Sequence, residues 1–140
     1  MQLNPYLNFN GTCEAAFNLY AKIFGGKILF KMTHGESPMA SSAPPDWQGK
    51  IMHATVALGD RMLQGMDAPP VHYSKPAGFS LAISVKDPAE AERLFNALAE
   101  GGTVQMPLQK TFWAESFGML VDQFNVPWMI NCESATPPPA

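Results

Sequence analysis

The sequence predicts an α+β fold in which a strand, a helix and three further strands occur twice in the same order. The first observation behind this prediction is an internal repeat: residues 9–28 align without a gap with residues 85–104 and share five identities. The second is that a Gly-Gly pair ends each copy and is followed by short apolar segments with strand-like alternation. We therefore predict two βαβββ modules, about residues 3–67 and 78–132, within a single domain of residues 1–133.

The helix of the second copy carries start and stop signals. Asp87 suits the N-cap, Pro88 the first helical position, and Glu90 completes a capping box. Gly101 suits the left-handed conformation that ends a helix. Apolar residues recur at helical spacing in both copies. The predicted buried stripes are Ala91, Leu94, Phe95 and Leu98 in the second copy, and Ala16, Leu19, Tyr20 and Ile23 in the first.

After each helix the chain alternates as strands do. The segments are KILFKM, HATVALG and RMLQGM in the first copy, and TVQMPLQ, ESFGMLV and PWMIN in the second. Asp60 and Asp122 are turn residues between strands. Residues 34–50 are rich in Pro and Ser and predict a long surface loop or lid. Residues 67–78 predict the linker between the modules, and residues 134–140 a disordered tail.

Strand alternation assigns side chains to the two faces of the predicted sheet. Leu81 and Ile83 point toward the helix, and by the repeat so do Leu7 and Phe9. The opposite face carries amides, hydroxyls, His53, methionines and aromatic rings with almost no charge, whereas a solvent-facing sheet is usually charged. We predict that this face forms a concave pocket for a small, partly apolar ligand. The alternatives are a homodimer interface or a second core layer.

Composition argues against several classes of partner. The net charge of −3 and the lack of a Lys/Arg cluster argue against binding to nucleic acid. Cys13 and Cys132 lie at opposite ends of the chain, which argues against a disulfide framework or a structural zinc site and suits a reducing compartment. The N-terminus lacks a signal-peptide pattern, and no apolar run reaches the roughly 20 residues that span a bilayer. We expect a soluble, cytoplasmic protein with no membrane partner.

Three segments of the chain resemble a known family. NPYLNFNGTCEAAFNLYAKIFGGKI, IMHATVALGD and FWAESFGMLVDQFNVPWMIN are together similar to the PhnB-like branch of the vicinal oxygen chelate superfamily, over about residues 4–131. That superfamily includes glyoxalase I, extradiol dioxygenases, fosfomycin-resistance enzymes and bleomycin-resistance binding proteins. The resemblance implies a glyoxalase/bleomycin-resistance/dihydroxybiphenyl dioxygenase-like fold, in which two βαβββ modules form a U-shaped mixed sheet around a cavity. It also implies a homodimer.

The resemblance also places a possible metal site. In metal-using members of the superfamily, four side chains hold a divalent ion, one on the first and one on the last strand of each module. These positions fall on Asn4 or Pro5, on Gln64, on Ser80 and on Met129. Such metal ions prefer histidine and carboxylate ligands, whereas these residues offer amide oxygens, a hydroxyl and a soft thioether. We therefore predict no metal ion and no cofactor at this site.

His53 is the candidate general acid or base, since histidine titrates near neutrality and this one falls on the pocket-facing side. The repeat gives Glu115 as its counterpart, and the two form the candidate catalytic pair. The alternative for His53 is a hydrogen-bonded residue of the pocket wall. Cys13 lies near a helix N-terminus, where a thiolate is favoured, and is a weaker nucleophile candidate. His34 and His72 are expected to be solvated loop residues.

Members of the PhnB-like branch also carry the name 3-demethylubiquinone-9 3-methyltransferase. A nucleotide-like cofactor usually binds at a glycine-rich turn that follows a strand and precedes a helix. Both Gly-Gly pairs here follow helices, and the sequence contains no S-adenosylmethionine-binding signature, P-loop, G-x-S-x-G or H-E-x-x-H. The residues therefore give the activity in that name no support.

The favoured function is metal-free binding of a small aromatic or amphipathic molecule, over which Trp47 of the 34–50 loop would close. The predicted ligand-binding residues are Tyr6, Asn8, His53, Gln64, Met66, Trp113, Phe117, Met119 and Met129. The alternative is an enzyme of the lyase, isomerase or dioxygenase type, or the methyltransferase of the family name, that uses His53 and Glu115 or an unrecognised metal. A third hypothesis is a structural dimer whose cavity is filled by side chains.

Overall fold

The computed structural model describes residues 1–134, which contain two α-helices and eight β-strands. The chain divides into two compact units between Ser74 and Lys75. Module 1 consists of β1 (Tyr6–Phe9), α1 (Cys13–Phe24), β2 (Lys27–Thr33), β3 (Ile51–Leu58) and β4 (Arg61–Asp67). Module 2 consists of β5 (Leu81–Val85), α2 (Pro88–Ala99), β6 (Thr103–Gln109), β7 (Ala114–Val121) and β8 (Pro127–Glu133). The predicted disordered tail lies, beyond Ser134, outside the described residues.

Each module is one mixed four-stranded sheet with its helix packed on one face. The strand orders are β1-β4-β3-β2 and β5-β8-β7-β6, and only the first pair in each sheet is parallel. The helix is the crossover between the two edge strands, which run in the same direction. The predicted α+β class with two βαβββ modules is confirmed. Within the described residues, neither helix is long and apolar enough to cross a bilayer.

The two glycines of each Gly-Gly pair have different roles. Gly25 and Gly101 are left-handed, with φ of 67° and 75°, a conformation that a residue without Cβ adopts without strain. Gly26 and Gly102 lie against a backbone carbonyl oxygen of the neighbouring strand, from which an added Cβ would stand only 1.9 Å and 2.3 Å. The first glycine therefore turns the chain out of the helix, and the second lets the next strand approach.

The N-terminus of α2 is capped by its own local sequence. The Asp87 carboxylate accepts a hydrogen bond from the backbone N–H of Ala89 at 3.0 Å, as predicted for an N-cap. Glu90 does not complete the predicted capping box. Its carboxylate instead accepts two hydrogen bonds from the guanidinium of Arg93, at 2.7 and 3.0 Å. The ion pair one turn along the helix competes successfully because its two charges meet in a bidentate geometry.

The buried stripe of α1 is wider than the sequence predicted. Ala16, Tyr20 and Ile23 are buried as expected, but Leu19 is only half-buried. Phe17 is fully buried instead, together with Cys13. The ring of Phe17 lies against Gly65 of β4, where an added Cβ would stand 2.9 Å from it. The absence of a side chain at position 65 therefore creates the space that Phe17 fills.

The 34–50 loop is anchored to module 1. It contains two short 3-10 helices, and backbone hydrogen bonds from His34 to Lys50 and from Gly35 to Gln48 join its ends. Trp47 is 9% exposed, and its indole N–H donates to a backbone carbonyl oxygen at 3.3 Å. The prediction that Trp47 closes over a ligand is therefore wrong, because the ring belongs to the core.

Asp67 is a buried carboxylate that joins three segments of module 1. Its side chain accepts hydrogen bonds from the backbone N–H groups of Cys13 at 2.9 Å and Ile51 at 2.8 Å. Its backbone oxygen is the acceptor for Trp47 and lies 3.0 Å from Nε2 of His34, which is buried. The prediction of a solvated His34 is therefore wrong. Asp67 was predicted to begin the linker, but it is the last residue of β4, and a carboxylate directly after a strand segment was the signal for its role.

Asp122 is the buried carboxylate of module 2, and the structure confirms its predicted turn role. One of its oxygens accepts from the backbone N–H groups of Phe124 and Val126, at 2.8 and 3.0 Å. The other accepts from the indole N–H of Trp128 at 2.9 Å. The turn and the strand that follows it are thus held by one side chain.

Candidate functional site

The face of the module 1 sheet opposite α1, which we call the helix-free face of module 1, carries the five predicted ligand-binding residues of this module. Strand pairing places Tyr6, Gln64, Thr55 and Phe30 in one row across the sheet. The next row contains the pairs Asn8–Met66 and Met32–His53. The alternation of β1, β3 and β4 thus brings all five predicted residues of module 1 onto one face without a charged side chain in either row.

A hydrogen-bonded pair lies within this face. The Tyr6 hydroxyl is 3.1 Å from Nδ1 of His53, and the two rings are stacked with centroids 5.7 Å apart. The ring of Phe30 lies on His53 at 5.9 Å between centroids. Phe30 was not among the predicted residues, although strand alternation with the Met32 position would have indicated it. Two aromatic rings therefore contact the imidazole, and the phenol fixes its orientation.

The ionisation of Tyr6 favours one direction for this hydrogen bond. Burial raises the pKa of the Tyr6 phenol, and repulsion between the phenolate and an ionised Cys13 is the smaller cause of the rise. The phenol is therefore a hydrogen-bond donor throughout the neutral range. When it donates to Nδ1, the neutral imidazole of His53 carries its proton on Nε2, which then points a donor away from the pair.

The helix-free face of module 2 is the face of its sheet opposite α2. It carries Phe117 and Met119 of β7, and Met129 and Asn131 of β8, as paired neighbours. Trp113, just before β7, packs edge-on against Phe117 with centroids 5.4 Å apart. All four predicted ligand-binding residues of module 2 thus lie on or beside this face.

Asn131 is the polar residue of module 2 that the sequence analysis missed. Its Oδ1 is buried and has no hydrogen-bond partner among the described residues. Asn131 is two residues beyond Met129 on the same strand, so alternation alone would have placed it on this face. An unpaired buried acceptor costs free energy, so a ligand or water that donates to it would be stabilised here.

The register of the two sheets changes the predicted counterpart of His53. Equivalent rows across the sheets are Tyr6–Gln64–Thr55 and Ala82–Met129–Met119. Because Met119 matches Thr55, the residue that matches His53 is Phe117, and Glu115 matches Ile51. The inference that repeat symmetry pairs Glu115 with His53 is therefore wrong by two residues. Glu115 is exposed and lies in module 2, and its catalytic role stays a prediction.

Cys13 is a poor candidate for a nucleophile. The thiol is fully buried beneath α1, and burial raises its pKa, with the negative charges of Asp67 and Glu14 adding to the rise. These effects outweigh the helix N-terminus that suggested a thiolate. The helix N-terminus instead has its first N–H group bonded to the Asp67 carboxylate.

Comparison with known proteins identifies close relatives. Residues 1–131 match the protein family described as 3-demethylubiquinone-9 3-methyltransferase. Protein YjdN from Escherichia coli (strain K12) is 36% identical over 145 residues, which covers 98% of this chain and 99% of YjdN. The crystal structure of protein PA1353 from Pseudomonas aeruginosa is 50% identical, with a TM-score of 0.86 over 95% of this chain and 98% of that chain. The PhnB protein from Bacillus cereus, which bears the family's methyltransferase name, is 25% identical with a TM-score of 0.82 over 94% and 99% of the two chains.

The fold extends to a metal-bound protein. The fosfomycin resistance protein FosX from Listeria monocytogenes, solved with Mn(II) and 1S,2S-dihydroxypropylphosphonic acid, has a TM-score of 0.65 over 96% of this chain and 94% of its own. It is 8% identical, so the likeness concerns the fold alone.

The four positions that the superfamily resemblance assigned to a metal ion do not suit such an ion. Gln64 and Met129 lie on the helix-free faces of their own modules, and Asn4 and Ser80 precede β1 and β5. With Asn4 at the first position the donors are two amides, a hydroxyl and a thioether, and with Pro5 there one amide is lost; neither set offers an anionic or imidazole ligand for a hard divalent cation. Among the described residues, no group of three or more His, Cys, Asp or Glu side chains is placed to hold a metal ion. The prediction of a metal-free protein rests on this donor set and stays a prediction.

Proposed function

This chain belongs to the PhnB-like family of the vicinal oxygen chelate superfamily, and we propose that it binds a small aromatic or amphipathic molecule without a metal ion. The observation that carries the proposal is the Tyr6–His53 pair, which is polar, oriented and covered by an aromatic ring on a sheet face with no charged side chain in its central rows. Binding sites for small molecules combine an apolar surface with a few such placed polar groups.

The helix-free face of module 1 offers contacts for each part of such a molecule. Phe30 and the stacked rings of the pair supply flat apolar area for an aromatic group. Met32 and Met66 supply polarisable side chains that adapt to irregular shapes. Nε2 of His53 and the amide of Gln64 would orient a carbonyl or hydroxyl of the ligand.

The helix-free face of module 2 supports the same class of ligand by different residues. The edge-on rings of Trp113 and Phe117 form an aromatic surface, beside the paired methionines Met119 and Met129. The unpaired Oδ1 of Asn131 favours a ligand that carries an N–H or O–H donor. Homodimer formation and a cytoplasmic location belong to this proposal as well.

The second candidate is an enzyme that uses His53 as a general acid or base. It is favoured by the same hydrogen bond, since a phenol that holds one imidazole nitrogen leaves the other free for proton transfer. A lyase or isomerase would need a second acid or base, for which Glu115 remains the predicted partner. The described residues give no support to the methyltransferase activity in the family name. No glycine-rich turn precedes a helix among them, and Gly25 and Gly101 instead end the helices.

The test is a thermal-shift screen of small aromatic and amphipathic compounds on the full chain, with and without EDTA. We expect at least one compound to raise the melting temperature, and EDTA to leave the shift unchanged. Phe30→Ala and Tyr6→Phe should each weaken the binding of that compound by about 5-fold to 10-fold, as expected for lost stacking or one lost hydrogen bond. Lys22→Ala, on the exposed side of α1, is the matched control and should bind normally.

Two outcomes would contradict the proposal. A shift that requires added Mn, Ni, Zn or Fe(II) would show a metal-dependent ligand and favour the enzyme hypothesis. Equal binding by wild type and both face variants would place the ligand elsewhere. His53→Ala then separates the two functions: a turnover assay that loses about 100-fold while binding persists would identify a general acid or base.

A further inference from the structure

A cleft lies on the opposite side of the module 2 sheet from the residues proposed above. It is open to solvent, has a volume of about 440 Å³, and lies between α2, β6 and β7. Its wall includes Pro88, Glu92, Phe95 and Asn96 of the helix, and Leu108 and Ser116 of the strands. The volume is within the range of small-molecule sites, roughly 300–1,000 Å³.

The position of α1 that matches Glu92 is buried. The helices pack one residue out of the gapless repeat alignment, because the buried Ala16, Tyr20 and Ile23 of α1 correspond to the buried Ala91, Phe95 and Leu98 of α2. This packing matches Pro88 with Cys13 and Glu92 with Phe17. Cys13 and Phe17 are both fully buried, and the ring of Phe17 packs against Gly65. A fully buried phenylalanine of α1 thus corresponds to an exposed glutamate at the rim of the cleft beside α2.

The lining of the cleft determines the charge of its ligand. Glu92 is exposed at the rim, and no described residue forms an ion pair with its carboxylate. The nearest cation along the helix is Arg93, whose guanidinium is already bound by Glu90. A bound cation would therefore meet an unneutralised carboxylate, whereas a bound anion would be repelled by it.

The floor of the cleft determines the shape of the ligand. Phe95 is 6% exposed and, with Leu108, forms an apolar surface. The hydroxyl of Ser116 is buried there and has no hydrogen-bond partner among the described residues. A ligand with an apolar group on Phe95 and Leu108 and an ammonium group near the rim would meet both the apolar floor and the Glu92 carboxylate. An ammonium close to the ring face gains further attraction.

We propose that this cleft binds a small organic amine, protonated at neutral pH, that carries an aromatic or alkyl group. Its ammonium group pairs with Glu92, and its apolar group lies on Phe95 and Leu108. The site is separate from the proposed ligand-binding face, because Ser116 points to the α2 side of β7 whereas its neighbour Phe117 points to the helix-free side.

The experiment is an NMR titration of the full chain with 2-phenylethylammonium, monitored at the backbone amides. Two matched probes keep the phenylethyl group and replace the ammonium: 2-phenylethanol carries a neutral hydroxyl, and 3-phenylpropanoate carries an anionic carboxylate. We expect saturable shifts at Glu92, Phe95 and Ser116 with a Kd of about 1 mM, which suits a ligand of this size. The alcohol should bind about 3-fold more weakly, and the carboxylate should bind less than the alcohol.

Two variants complete the test. Glu92→Gln should weaken the binding of 2-phenylethylammonium about 3-fold and leave the binding of 2-phenylethanol unchanged. Glu92→Phe, which restores the residue type of module 1, should abolish binding of all three probes. The proposal is overturned if the ammonium probe gives no saturable shift at ten times the expected Kd, if Glu92→Gln binds it as wild type does, or if its shifts map to Tyr6 and His53. The last pattern would assign the amine to the helix-free face of module 1 instead.

Discussion

The two modules share one topology but hold their helices on their sheets in different ways. In module 1 the first N–H group of α1 is bonded to Asp67, which is 54 residues away on β4. In module 2 the corresponding cap is Asp87, two residues from the N–H group that it accepts from. The comparison teaches that a repeat can preserve a fold while the contacts that stabilise it become long-range in one copy and local in the other.

The same contrast appears in the packing of the helices. Module 1 buries Phe17 beneath α1, and Asp67 ties this helix to β3 and β4. Module 2 leaves Glu92 exposed at the matching position, beside an open cleft. We therefore expect substitutions on α1 to destabilise the protein far more than equivalent substitutions on α2.

The largest expected effect is that of Phe17→Ala. Removing a fully buried ring should lower the free energy of unfolding by about 4 kcal/mol, because Gly65 offers no side chain to fill the cavity. Glu92→Ala, at the matching position of α2, should change it by less than about 0.5 kcal/mol. Urea unfolding of the two variants checks the comparison, and equal losses would break it.

Asp67→Ala should cause the next largest loss of stability. Two buried backbone N–H groups would lose the carboxylate that accepts from them, at a cost of about 3 kcal/mol. Asp87→Ala removes one exposed cap from α2 and should cost about 1 kcal/mol. Hydrogen exchange at the amides of Cys13 and Ile51 should rise in the first variant alone. Wild-type protection of these amides in Asp67→Ala would show that the carboxylate is not their essential partner.

The buried thiol of module 1 gives a pH dependence. Burial raises the pKa of the Cys13 thiol above its ordinary 9.0. The thiol therefore stays protonated in the folded protein at a pH where it ionises in the unfolded chain. Its contribution to stability is complete below pH 9 and is lost as the pH rises, by about 1 kcal/mol between pH 9 and pH 10. Unfolding curves at several pH values should show this slope in the wild type. A slope that is as steep in Cys13→Ala would assign it to another group.

The smallest expected effect is that of Tyr6→Phe. Tyr6 is 43% exposed, so losing its bond to His53 should lower the free energy of unfolding by no more than about 1 kcal/mol. The same variant is expected to bind ligand several-fold more weakly. A loss of stability above about 2 kcal/mol would instead mark the pair as structural and sharpen the case for module 2 as the binding face.

Much of this fold was predictable because its signals are local. The Gly-Gly pairs, the Asp87 cap and the alternation of the strands depend on a few adjacent residues, and each was placed correctly. The same alternation put Tyr6 and His53 on one face, where the structure shows them in contact. Glu115 was mismatched because the two hairpin turns differ in length: two residues separate the paired Leu58 and Arg61, whereas five separate the paired Val121 and Pro127.

The sequence by itself determined the order of the elements, the faces of the strands and the family, because periodicity and short motifs act over one or two turns of chain. Only the tertiary structure decided that Trp47 and His34 are core residues, that Asp67 caps a helix 54 residues away, and that a cleft lies beside α2. The physical reason is that burial and hydrogen bonding between distant segments depend on which surfaces meet. A polar residue in a loop has the same sequence signal whether it faces water or caps a buried helix.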